Sequence, residues 1–139
     1  MHVFAEEGVA DKSHQLGTDG AENLKLLMDY TKFHIGLYFT LFGAAVTAIE
    51  KNLFLQSTWP YLRVAALLFV LAGMCGGVIA SSIPDAKSFA DFQRQPLGVR
   101  WLPRFGVRYG IWAGLEHSFF WIAIVVTAVA LLGPWSWRN

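Results

Sequence analysis

The chain has little charge, and what it has is unevenly placed. Only 15% of its 139 residues are Asp, Glu, Lys or Arg, against about 25% in an ordinary soluble domain. No charged residue lies between Val64 and Ile83, and Glu116 is the only one between Tyr109 and Trp135. A formal net charge of +1 excludes a nucleic-acid binder working by excess positive charge, so no nucleic acid is expected as a partner. Cys75 is the only cysteine, which excludes an intramolecular disulfide and a thiolate zinc cluster. In the middle of an apolar run it reads as a small hydrophobe. The first residues, Met1 to Asn23, lack the basic start and apolar stretch of a secretory signal. Neither end carries a lipidation motif, so entry into the membrane is expected through the first span. There is no phosphate-cradling glycine loop, because Gly76 and Gly77 fall inside an apolar run. Single polar residues scattered over three helices support no Ser-His-Asp arrangement.

What is present is apolar surface. The apolar fraction is 55%, with eleven Phe and six Trp, and it collects in three stretches. Asp19 followed by Glu22 is a capping-box-like helix start, weakened by Gly20. Leu24, Leu27 and Met28 then recur at helical spacing and lead into the first apolar stretch. Glu50, Lys51 and Asn52 mark its far end, and Trp59-Pro60-Tyr61 forms an aromatic turn before the second. Gly133-Pro134 stops the third, with Trp135 and Trp137 where an aromatic belt would lie. Spans of about 31–51, 61–83 and 109–132 are the expected reading, each long enough for a ~30 Å hydrocarbon core once the entry turns are counted. Residues 1–19 read as a flexible cytoplasmic tail, and 20–139 as one three-span membrane domain.

The connection 84–108 is polar but too apolar for a solvated loop, since Phe89, Phe92, Leu97, Trp101, Leu102 and Phe105 interrupt its charges. A surface-lying amphipathic helix near 86–94 is expected there. Arg100, Arg104 and Arg108 would meet anionic headgroups or a partner's acidic surface. Eight basic residues fall on the side of the N-terminus and this connection, and Lys51, Arg63 and Arg138 on the other. The positive-inside rule places the N-terminus in the cytoplasm and the C-terminus outside, as in a bacterial-type inner membrane. The fold class is therefore an all-α integral membrane protein: three transmembrane helices in a compact bundle, with an interfacial helix in the cytoplasmic connection.

Small residues predict where those helices meet, because association in lipid depends on close packing. Gly36, Thr40, Gly43 and Thr47 share one face of the first helix. Gly73 and Gly77 form a GxxxG pair in the second, and Ala123 and Thr127 lie with Glu116 on one face of the third. Glu116 is the exception in chemistry. A carboxyl roughly 7–10 Å inside the apolar region requires pairing, protonation or water. Thr40, Ser81, Ser82 and His34 are its candidate partners. His117 lies about 100° around the helix from Glu116, and His34 lies near the cytoplasmic end of the first span. Two histidines at similar depth on different helices are candidate axial ligands of a b-type haem. They would also suit a quinone headgroup, with Glu116 or Tyr38 assisting proton transfer. The blander expectation is a hydrogen bond from each to its own neighbours.

Two functional classes follow. The first is a non-enzymatic oligomerising or accessory subunit of a membrane complex, whose partners are the lipid bilayer and copies of itself or other membrane subunits. In its pore-forming version, Glu116 would line the lumen as a ring of carboxylates. The second is a haem b- or quinone-binding redox anchor using His117 and His34. In layout alone the chain resembles the membrane-anchor subunits of succinate dehydrogenases and fumarate reductases, which implies a respiratory-type redox complex. Their histidine–arginine patterns are not found here. Adjacent Glu116 and His117 project to different faces, which disfavours an acid–base enzyme.

Overall fold

The computed structural model describes residues 4–98 and 107–133, and for residues 4–19 the backbone course alone. Four helices follow in order: α1 (Phe4–Glu50), α2 (Trp59–Ser82), α3 (Phe89–Arg94) and α4 (Tyr109–Leu132). Three stretches, Gly20–Glu50, Gln56–Asp85 (α2 with a 3-10 turn at each end) and Tyr109–Leu132, are long and apolar enough to cross a membrane. The calls on Arg100, Trp101, Leu102, Arg104, Phe105, Trp135 and Trp137 lie outside the described residues.

α1 corrects the expected helix start. It does not begin at Asp19 but runs through it from Phe4. Ala5, Glu6, Glu7, Ala10, Lys12, Gln15 and Leu16 are good helix formers, and their summed propensity outweighs the isolated glycines. At 1.5 Å per residue its 47 residues extend about 70 Å. That is more than twice a ~30 Å hydrocarbon core. The helix stops where Asn52 takes a left-handed conformation (φ 52°), which Asn tolerates better than most residues. The Leu53 N–H then closes back on the Ala48 carbonyl at 3.0 Å. α2 opens with Pro60 in its first turn, where a missing N–H leaves no helical bond unmade.

α2 is the central element. It packs along both α1 and α4, whereas those two helices meet chiefly through side chains. Both its flanks are accordingly buried, from Leu62, Ala65 and Phe69 through Ala72, Cys75 and Ile79. α1 presents Leu24, Thr31, Tyr38 and Ala45, each buried and each seven residues from the next. α4 does the same with Glu116, Ala123 and Ala130. A seven-residue repeat keeps one narrow stripe facing a partner helix.

The α1 seam is therefore not the expected one. Gly36, Thr40 and Thr47 are exposed and Gly43 is half-buried. A Cβ at Gly36 or Gly43 would meet nothing within 4 Å. The larger Leu24 and Tyr38 fill the contact with α2 and α4, so the small-residue stripe points away from both. On α2, Gly73 is buried beside Phe39 and Tyr38, whereas Gly77 has open space over it. On α4, Ala123 packs with Ala65 and Phe69, and Thr127 is half-buried with its hydroxyl donating to the Ala123 carbonyl.

The connection folds onto the protein. Ser88 caps α3 by accepting the Asp91 N–H. β1 (Pro96–Leu97) then pairs antiparallel with β2 (Val107–Arg108). Phe92 and Leu97 are buried in one cluster with Leu24, Ile79 and Ile83, and Trp112 Nε1 donates to the Leu97 carbonyl at 3.1 Å. Phe92 and Leu97, expected to lie on headgroups, instead close the end of the helices, with Phe89 packed against them. Phe92→Ala should thus lower stability by about 3–5 kcal/mol, read as a fall in thermal midpoint in detergent, where removing a headgroup contact would leave the midpoint unchanged.

Candidate functional site

The coincidence of the two seven-residue stripes brings Tyr38 of α1 opposite Glu116 of α4. Both are almost wholly enclosed, at 1% and 3% exposure. Tyr38 O–H donates to Glu116 Oε1 at 2.9 Å. α2 supplies the floor: a Cβ on Gly76 would lie 3.1 Å from Ile35 Cγ1 and 3.4 Å from Glu116 Oε1. Glycine at 76 is what lets the carboxyl group sit against the α2 backbone. Phe120, one turn along α4, packs its ring 5.3 Å from that of Tyr38.

None of the four expected partners reaches Glu116. Thr40 donates to Gly36 O, and Ser81 and Ser82 both donate to Val78 O. The His34 ring bonds Tyr30 O through Nδ1. Short hydroxyls in a helix readily bond the carbonyl three or four residues back, and these do so. Tyr38, placed at the sequence level only as an accessory to proton transfer, is long enough to cross between helices. Gly76 escaped notice because Gly77, its neighbour, completes the GxxxG spacing. Neither position carried a signal separable from ordinary packing.

A second group of rings lies beside this pair. His34 and His117 do come together, with ring centroids 6.4 Å apart. His117 Nδ1 bonds Ala113 O at 2.9 Å, and its Nε2 lies 3.3 Å from Tyr30 Oη. Tyr30 also packs over His34, with ring centroids 3.9 Å apart and planes tilted by 39°. A haem held between the two imidazoles requires both Nε2 atoms open and a flat slot between them. Tyr30 engages one of those atoms and covers the other ring, so this arrangement does not fit a haem. Among the described residues no group of three or more His, Cys, Asp or Glu is placed to hold a metal ion. Glu116 faces the interior of its own chain, which removes it from the lumen of any pore formed between copies.

Compared with protein families, characterised proteins and solved structures, the chain matches none of them.

The geometry separates two adjacent glycines. Gly76→Ala should cost about 1–3 kcal/mol through overpacking against Ile35 and Glu116. Gly77→Ala should be neutral or stabilising by a few tenths, since Ala is the better helix former. Tyr38→Phe strands the carboxyl group and should cost about 1 kcal/mol. Thermal unfolding of the three variants in one detergent checks all three signs.

Proposed function

We propose that the chain is a non-enzymatic membrane subunit, a compact three-helix bundle that assembles with copies of itself as an oligomerising component of a membrane complex. The observation that carries this reading is the outward direction of the Gly36, Thr40, Gly43 and Thr47 stripe. In lipid, small residues at spacings of three and four let two helices approach closely, and here a Cβ at Gly36 or Gly43 would meet nothing within 4 Å while Thr40 and Thr47 are exposed. A second set supports it: Gly110, Gly114 and Ser118 recur every four residues on α4 and are all exposed. The distribution of basic residues supports a cytoplasmic N-terminus in a bacterial-type inner membrane, with the connection on the same side.

A redox anchor is the second reading, and the approach of His34 to His117 is what favours it. A quinone headgroup would require displacement of Tyr30 from His117, as would a haem.

The open space over Gly36 and Gly43 provides the test. Gly36→Leu and Gly43→Leu should change the monomer's stability by no more than about 1 kcal/mol. Each should lower the mass of the purified particle toward a single copy. An unchanged multimer in both variants overturns assembly through this face, and a monomeric parent overturns self-assembly altogether. The absorption spectrum of the same preparation addresses the second reading. A Soret band lost in His117→Ala would establish haem binding; a colourless protein removes it.

A further inference from the structure

A groove of about 690 Å³ runs along the last turns of α2. Met74, Gly77, Val78, Ser81, Ser82 and Asp85 form one wall, at the spacings of three and four that put residues on one helix face. Gln95 and β1 form the other. Met74 and Val78 are apolar, and a Cβ at Gly77 would meet nothing within 4 Å, so no side chain narrows the groove there. Asp85 is the last residue of the second apolar stretch. Met74 lies about 17 Å before it along the axis, roughly half of a ~30 Å hydrocarbon core. The groove therefore leads from the apolar middle of the span to its end.

Its polar end is built from acceptors. Ser81 and Ser82 both give their hydroxyl protons to Val78 O and keep lone pairs to offer. Gln95 Nε2 donates to Asp91 Oδ2 at 2.7 Å, which leaves the Gln95 carbonyl oxygen as an acceptor. Asp85 is exposed, and among the described residues no hydrogen bond or ion pair reaches its carboxylate. An exposed carboxylate carries its charge at neutral pH. Lys87 and Arg94, the basic side chains nearest to it in sequence, are exposed and line none of the groove.

We propose that this groove binds a phospholipid whose headgroup ends in a primary ammonium, with the ammonium on Asp85, Ser81 and Ser82 and an acyl chain over Gly77 and Met74. The charged end of the groove lies at the end of the span and the apolar end in its middle. A lipid standing in a leaflet has its parts in the same order. A lone carboxylate attracts a cation and repels a headgroup of net negative charge. Carboxylate and serine oxygens accept N–H bonds, so a quaternary ammonium, which has none to give, is selected against. The proposal rests on the helices crossing a membrane and not on self-assembly, since a monomer presents the same groove.

Native mass spectrometry of the full chain in detergent reads copy number and bound lipid together. Dioleoylphosphatidylethanolamine, dioleoylphosphatidylcholine and dioleoylphosphatidylglycerol are added in equal amounts. The ethanolamine lipid should be retained about threefold or more over either of the others, the scale of an exposed ion pair. In Asp85→Asn, whose site is exposed and outside the packed core, the three lipids should be retained alike. Gly77→Leu fills the apolar half and should lower retention of the ethanolamine lipid by about threefold or more, the carboxylate being intact. Phosphoethanolamine, which has the headgroup without the chains, should not displace it. A monomer that keeps the preference supports the site while overturning self-assembly. Equal retention of the three lipids by the parent, a preference that survives Asp85→Asn, unchanged retention in Gly77→Leu, or displacement by phosphoethanolamine overturns the proposal.

Discussion

The hydrogen bond from Tyr38 to Glu116 is the constraint around which the three long helices are arranged. A carboxyl group in the apolar part of a membrane cannot be left without a partner, and α4 has no other charged side chain with which to arrange one. Meeting that requirement fixes the rotation of α4 so that Glu116, Ala123 and Ala130 face inward. It fixes α1 so that Tyr38 reaches across, and it demands a glycine where α2 passes beneath. The bond is a single contact of ordinary length. Its influence comes from the lack of any solvent that would replace it.

The rotation of α1 has a second effect. Turning Tyr38 inward turns Gly36, Thr40, Gly43 and Thr47 outward, because the two sets lie on different sides of one helix. The face that satisfies the polar group and the face that permits close helix approach are therefore separate. In α4 the same division places Gly110, Gly114 and Ser118 outside. A chain organised in this way keeps its internal polar bond when its outer surface is covered.

The three long apolar helices were legible because hydropathy is local: runs such as Val64 to Ile83 announce themselves without reference to any other residue. Glu116 was legible for the same reason. Its partner was not, since pairing depends on the relative rotation of two helices, and small residues were a misleading guide to that rotation. In α1 the inward face mixes Leu24, Thr31, Tyr38 and Ala45, which no single size criterion selects. The apolar character of the connection was legible, but its destination was not. Phe92 and Leu97 suit a headgroup layer and a protein core equally well, and only the tertiary fold distinguishes the two. The α1 start was misread because a capping box is a local signal, overridden when good helix formers precede it.

Chain order gives the arrangement one more consequence, for biogenesis. α1 and α2 are made first, and together they hold Tyr38 and the gap over Gly76 before α4 exists. Glu116 belongs to a helix made after both of them, so its destination is complete when it arrives. As built, the one charged side chain of α4 enters a receptacle already assembled, and its docking joins α4 to the other two helices.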